Sequence, residues 1–135
     1  MDRKAFASSV SVLPDWRDAV SEACGSVLEQ LGEHPCDLAV CFISEPYKNL
    51  DGSELAAHIQ DRLPYRVLIG CSSSGVVGTD REIEMQPAFS ILAMHLPGVR
   101  LYPFCFSQES GNGLSSSTEL LSGLDLYPNE KPRFL

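Results

Sequence analysis

The pattern of apolar and polar residues predicts alternating strands and helices in the first half of the chain. Residues 6–12 alternate with a period of two, which is typical of a strand. Apolar residues then recur at three- and four-residue steps from Trp16 to Leu31, which predicts a helix with one wide apolar stripe. Pro14 suits the first helical position, and Gly32 is a typical stop.

A second strand–helix–strand unit follows. Leu38 to Ile43 is apolar at every position, which predicts a strand buried on both faces. Asp51 resembles the start of a capping box for a second helix, and Pro64 ends that helix. Residues 66–70 form another short apolar strand. Strands and helices in this order predict a right-handed parallel unit.

The pattern changes after residue 75. Ile83 and Met85 alternate with glutamates, which indicates a strand with one solvated face. Residues 88–96 and 99–106 are strand-like and are joined at the turn signal Pro97-Gly98. We therefore expect an α/β fold, in which a mixed sheet has a βαβαβ start followed by antiparallel strands and carries the helices packed on it.

The last part of the chain has weaker signals. Residues 107–117 are rich in Ser, Gly and Asn, which predicts a surface loop, and a weak helix is predicted from Ser116 to Leu124. The ending Phe134-Leu135 resembles the start of a further strand. We interpret residues 1–135 as a single, incomplete domain.

Composition limits the classes of function. With 135 residues, of which 44% are hydrophobic, the chain can build one modest core. Its net charge is −8 and its ten Lys and Arg are scattered, which disfavours nucleic acid and anionic membrane surfaces as partners. No apolar run is long enough to span a bilayer.

The five cysteines indicate a reducing compartment. Their number is odd, their spacing is wide, and no CxxC pair occurs. Cys24 lies on the apolar stripe of the first helix and Cys41 lies in the second strand, so both are expected to be buried and reduced. We expect a cytoplasmic protein.

One glycine- and serine-rich stretch follows the third predicted strand. Open α/β sheets bind ligands at the carboxyl ends of their strands, and glycines there allow the backbone to approach a ligand. The predicted ligand-binding residues are Gly70, Cys71, Ser72, Ser73, Ser74 and Gly75. The alternative is a tight connection in which glycine supplies positive φ and serine forms turns.

The known enzymatic motifs do not fit this stretch. It lacks the final Gly of a GxSxG elbow, and Val76-Val77 replace the Lys and Ser/Thr of a P-loop. Cys71 could act as a nucleophile only with a histidine base in reach. His34 lies in a turn and His95 is in phase with the inward residues of its strand. No metal-ligand spacing is present, so no catalytic residue, metal or cofactor is predicted.

At these residues the chain resembles a known family. The strand at residues 38–43, the Gly-Cys-Ser-Ser-x-Gly core at 70–75 and the strand at 88–94 are similar to the N-terminal half of a FIST domain. The helix entry from Ser11 to Val20 is also similar, and the resemblance covers roughly residues 5–106. FIST domains are intracellular sensory modules thought to bind small ligands such as amino acids. Only residues 70–75 map onto the family's most characteristic motif.

This resemblance implies a sensory domain that binds a small ligand for signal transduction and is not an enzyme. The implied partners are the ligand and either the C-terminal half of a FIST domain or a signalling output domain. Two alternatives stay open: a Cys- or Ser-dependent hydrolase or transferase that uses residues 70–75, and a protein-interaction scaffold. A cluster of Cys71 with His95 and a carboxylate would favour the enzyme. A pocket lined by residues 70–75 would favour the sensor, and an exposed apolar patch would favour the scaffold.

Overall fold

A computed structural model describes residues 2–47, 50–78 and 80–104. Contacts divide the chain after Val99, and every helix and strand below precedes that division. The elements in chain order are β1 (Ala5–Ser11), α1 (Trp16–Leu31), β2 (Cys36–Ser44), α2 (Gly52–Arg62), β3 (Tyr65–Ser73), β4 (Gly75–Val77), β5 (Glu82–Glu84) and β6 (Phe89–His95). The loop, helix and strand predicted beyond residue 106 lie outside the described residues.

Both helices begin where an aspartate caps them. The Asp15 carboxylate accepts hydrogen bonds from the backbone N–H groups of Arg17 (2.9 Å) and Asp18 (3.2 Å). Pro14 therefore lies just before the cap, and not at the first helical position as predicted. Asp51 caps α2 in the same way through Ser53 and Glu54. Each cap satisfies two N–H groups that have no partner within the helix.

The main sheet has the strand order β1-β6-β2-β3. β2 and β3 are parallel, whereas β6 is antiparallel to both of its neighbours, β1 and β2. The first three strands thus run in one direction as predicted, but the late strand β6 inserts between β1 and β2. The α/β class, with a βαβαβ start and antiparallel strands, is confirmed.

The strand predicted at residues 99–106 is wrong over its described part, because residues 99–104 are not in a strand. The preceding turn is present: the Val99 N–H donates to the Leu96 carbonyl (3.1 Å) and Gly98 has φ +76°. A hairpin partner needs a free edge on the strand before the turn. β1 and β2 already occupy both edges of β6, so residues 99–104 could not pair with it as a further strand of this sheet.

The core lies between one face of the sheet and the two helices. Val20, Cys24 and Val27 of α1 and Ile59 of α2 are fully buried there. On the sheet side, alternate residues of β2 and β6 are buried against the helices, among them Ala39, Cys41, Ile43, Phe89, Ile91 and Ala93. The predicted burial of Cys24 and Cys41 is confirmed, and both thiols are free.

The opposite face of the sheet is only partly covered. Phe42 of β2 and Ile69 of β3 are exposed there, so the prediction that β2 is buried on both faces is wrong. Right-handed crossovers that advance in the same direction, from β1 to β2 and then to β3, place both helices on one face. The β4–β5 hairpin packs on Val10 at one end of the other face, through Val76 and Ile83.

Candidate functional site

The predicted ligand-binding segment is a strand end and a short turn. β3 continues to Ser73, so Gly70, Cys71, Ser72 and Ser73 pair with Cys41–Ser44 of β2. Ser74 is a bend, and Gly75 begins β4. The segment lies at the carboxyl ends of two parallel strands, as predicted. It is more regular than expected, because the parallel ladder extends beyond the last apolar residue of each strand.

A pocket of about 360 Å³ opens at this edge of the sheet. The ends of β2 and β3 form one wall, and Gly52, Leu55 and Ala56 at the start of α2 form another. Leu50 and Leu68 complete the apolar lining. Of the six predicted residues, Gly70, Cys71 and Ser72 line the pocket, whereas Ser73, Ser74 and Gly75 do not.

The absence of a side chain at Gly70 keeps this pocket open. A Cβ at this position would overlap the carbonyl oxygen of Cys41 and lie 2.6 Å from its Sγ. No L side chain fits there without movement of β2, since real Cβ contacts are not that short. Gly70 therefore has a packing role, and its missing side chain leaves space against α2 as a consequence.

Ser73, Ser74 and Gly75 serve the turn into β4. The Ser73 hydroxyl donates to the Gly75 carbonyl, and the Ser73 carbonyl accepts from the Glu45 N–H (3.0 Å). Gly75 does not have positive φ; among the described glycines only Gly32 and Gly98 do. A Cβ on Gly75 would lie 3.0 Å from the Ile83 carbonyl oxygen, so close packing against β5 explains this glycine.

The pocket offers few polar groups. The Ser72 hydroxyl can donate and accept, and the Cys41 thiol lies in the buried wall. Burial, with a smaller contribution from Cys71, raises the pKa of the Cys41 thiol to about 11, so it stays protonated at neutral pH. An apolar lining with one or two polar groups is typical of small-molecule sites.

The structure separates Cys71 from His95. Cys71 aligns with Phe42 of β2 and Ser90 of β6, whereas His95 is at the far end of β6. Five residues of strand between Ser90 and His95 correspond to roughly 16 Å. None of the residues lining the pocket is a histidine. The cluster that would favour a hydrolase is therefore not formed by these two residues.

A second group of side chains comes together at the other end of the strands, beside the amino end of β2. His95 is 5% exposed, as its phase in the strand predicted, and its Nε2 lies 3.2 Å from Oδ2 of Asp2. The ring of His34 stacks on that of His95, with centroids 4.9 Å apart. Asp37 Oδ2 lies 3.1 Å from Nδ1 of His95. Sequence spacing could not reveal this group, because Asp2, residues 34–37 and His95 are distant from one another in the chain.

Two hydrogen bonds hold Asp37 in place within this group. It is buried, and its carboxylate accepts from the Leu96 N–H (2.6 Å) and from Arg66 (3.3 Å). Burial by itself acts to raise the pKa of this carboxyl group. The Leu96 N–H, the Arg66 guanidinium and His95 outweigh that effect and hold the pKa of Asp37 below its ordinary value.

Comparison with known proteins identifies the family to which this chain belongs. A search of curated proteins found no match. The FIST N domain family matches residues 37–130, more than half of the chain, and this span includes the pocket residues Gly70–Ser72. The similar helix entry at residues 11–20 lies outside the matched span. No described helix is both long and apolar enough to cross a membrane. FIST domains are sensory domains implicated in signal transduction, and this chain belongs to the FIST N domain family.

Proposed function

We propose that this chain binds a small metabolite and forms the ligand-recognising part of a cytoplasmic sensory domain. The observation that carries the proposal is the pocket at the carboxyl ends of β2 and β3, which Gly70, Cys71 and Ser72 line. Ligands of open α/β sheets bind at this edge. The free thiols of the described cysteines, three of them buried, support a reducing compartment.

The lining indicates an amino acid or a similar metabolite with an apolar side chain. A volume of about 360 Å³ is at the small end of the range for ligand sites. Leu50, Leu55 and Leu68 provide an apolar wall. The Ser72 hydroxyl provides one polar contact, and β3 pairs only with β2 among the described strands. The backbone N–H and C=O groups on its other edge can therefore bind an ammonium or carboxylate group.

Binding is favoured over catalysis by the position of the histidines. A hydrolase that uses Cys71 needs a base within hydrogen-bond reach. His95 lies at the other end of the strands, and the Nε2 atom of His58 lies 3.1 Å from both Ser21 Oγ and the Arg17 carbonyl. FIST domains are not known as enzymes. These observations support a pocket that holds its ligand unchanged.

Filling the pocket is expected to abolish binding without unfolding the protein. Ala56→Phe places a ring in the pocket from α2, whereas Ala57→Phe, one residue later on the exposed surface, is the matched control. Ser72→Ala should weaken affinity roughly 3- to 10-fold, as expected for one lost hydrogen bond. The measurement is a thermal-shift and NMR titration of each variant with a panel of amino acids and related metabolites.

A ligand present at 100 times its Kd should stabilise the wild type and the control by about 2.7 kcal/mol. The same compound should leave the melting temperature of Ala56→Phe unchanged. If a compound from the panel shifts Ala56→Phe as much as wild type, the binding site lies elsewhere. If no compound raises the melting temperature of the wild type, the proposal that the chain binds this class of ligand is wrong.

A second candidate function, protein interaction, is favoured by the open face of the sheet. The register aligns Ser8, Leu92, Val40 and Ile69 across all four strands, and Ile69 is 49% exposed. Phe6 and Phe42 are exposed as well, at 61% and 41%. An apolar face of this kind marks an interaction surface. We propose that it contacts the C-terminal half of a FIST domain or a signalling output domain.

A charge on this face is expected to weaken that association by at least tenfold, because a buried ammonium group loses its hydration. The substitution is Ile69→Lys, and Leu28→Lys, at an exposed site of α1 on the other side of the sheet, is its control. The measurement is calorimetric titration of each variant with a separately produced C-terminal FIST half. Equal affinities of the two variants would show that this face is not the interface.

A further inference from the structure

The group around His95 contains an arrangement that a neutral histidine does not satisfy. Nε2 of His95 lies 3.2 Å from Asp2 Oδ2, and Nδ1 lies 3.1 Å from Asp37 Oδ2. The Asp37 carboxylate approaches Nδ1 away from the line of a good hydrogen bond, so this buried nitrogen has no hydrogen-bond partner in the described part of the chain. Each nitrogen of a buried imidazole therefore has a carboxylate oxygen beside it.

A positive charge would offset the two carboxylates beside this imidazole, and either a second proton on the ring or a bound cation can supply it. A neutral imidazole carries one N–H and one lone pair. Whichever nitrogen carries the hydrogen, the lone pair of the other nitrogen then lies beside an anionic oxygen, which is repulsive. Nδ1–H directed at Asp37 leaves the Nε2 lone pair beside Asp2, where a cation could be shared between nitrogen and oxygen. His34 adds a third donor, since its Nδ1 lies 3.8 Å from Asp2 Oδ1.

We propose that Asp2, His34 and Nε2 of His95 bind a divalent transition-metal ion of the zinc class, with Asp37 as a positioning residue. The ligand atoms of these three residues all lie within 4.8 Å of one another. Two ligands of a tetrahedral zinc with bonds of 2.0–2.1 Å are roughly 3.3 Å apart, close to the 3.2 Å between His95 and Asp2. The His34 ring stacks on that of His95, so its Nδ1 must turn toward the ion, and the exposure of His34 leaves room for that turn.

The surroundings match those of a metal-bound histidine. Such a histidine usually directs its second N–H at a carboxylate, which fixes the tautomer and the ring. Asp37 Oδ2 lies 3.1 Å from Nδ1 of His95, so a small turn of the ring would direct Nδ1–H at it, and the Leu96 N–H and Arg66 hold Asp37 in place. Two imidazoles and one carboxylate are donors that zinc accepts, with a fourth position left for water.

Such an ion would join three segments that are distant in the sequence. Asp2 precedes β1, His34 lies in the turn between α1 and β2, and His95 ends β6. Binding would therefore stabilise the folded chain, because the unfolded chain does not hold these residues together. The site lies at the other end of the strands from the ligand pocket, so it does not depend on the proposed function.

The test is calorimetric titration of the full, untagged chain with Zn²⁺, together with Co²⁺ absorption to report the ligand geometry. A Cys71→Ser, Cys105→Ser background removes an exposed thiol and the one cysteine outside the described residues. We expect one Zn²⁺ per chain, a rise in melting temperature on binding, and a visible Co²⁺ spectrum of a tetrahedral or five-coordinate ion.

The variants separate the proposed ligands from structural roles. Asp2→Asn and His34→Ala change exposed side chains, so both variants should fold and lose at least tenfold in Zn²⁺ affinity. Asp37→Asn should lose 10- to 100-fold, as expected for a positioning partner. His58→Gln, a histidine outside the group, should bind as the parent chain does. Absence of Zn²⁺ binding by the parent chain, or equal binding by Asp2→Asn and His34→Ala, would overturn the proposal.

Discussion

Gly70→Ala is expected to lower the free energy of unfolding by about 2–3 kcal/mol, the cost of forcing a Cβ against the packed backbone of β2. The added Cβ overlaps the carbonyl oxygen of Cys41, which is backbone in the middle of β2 and cannot rotate away. For a domain of this size that corresponds to a fall of roughly 10 °C in Tm. The measurement is a urea or thermal denaturation curve.

Gly25→Ala is the matched control, because a Cβ at Gly25 meets nothing within 4 Å. Gly25 lies inside α1, where replacement of glycine by alanine should stabilise by about 0.5–1 kcal/mol. The double variant Gly70→Ala, Cys41→Ala should recover part of the loss, because it removes the Sγ contact and leaves the carbonyl contact. A Gly70→Ala variant that melts with the wild type would contradict the close packing of β2 and β3.

Raising the pH above 9 is expected to unfold the protein, with a loss of roughly 2–3 kcal/mol per pH unit from two buried thiols. Burial, with smaller contributions from Cys41 and Cys36, raises the pKa of the Cys24 thiol from 9.0 to about 12. Burial also raises the pKa of Cys41 to about 11. Between pH 9 and 11 the unfolded chain loses these protons while the folded chain keeps them, so the unfolded state gains stability.

The same stability is fully present below pH 9, where both states hold the protons. Tyr47 acts in the same direction at higher pH, since burial, with Asp15 and Glu22 adding to it, raises its pKa to about 12. The measurement is a series of urea denaturation curves under reducing conditions from pH 7 to 11. Cys24→Ala should reduce the slope by about 1.4 kcal/mol per pH unit, the contribution of one thiol. A slope that this substitution leaves unchanged would show that other groups cause the alkaline unfolding.

The sequence by itself determined the elements and their burial where a local pattern was strong. The apolar stripe of α1 and its stop at Gly32 appear as predicted, because side-chain periodicity and chain reversal are local properties. The inward position of His95 followed from its phase with Phe89, Ile91 and Ala93. The placement of residues 70–75 at the carboxyl end of a parallel strand also followed, since it depends only on the order of the elements.

The tertiary structure alone decided which elements became neighbours. Insertion of β6 between β1 and β2 is a long-range pairing, and it removed the free edge that residues 99–104 would have needed. It also brought His95 to Asp37, and the turn after α1 brought His34 to Asp2. Within residues 70–75, only tertiary contacts decided which residues line the pocket and which form the turn. Gly70 packs on Cys41 in the pocket wall, and Gly75 packs on Ile83 in the turn into β4. Local sequence patterns carry no signal for these contacts, because each depends on the distance between segments that only the folded chain brings together.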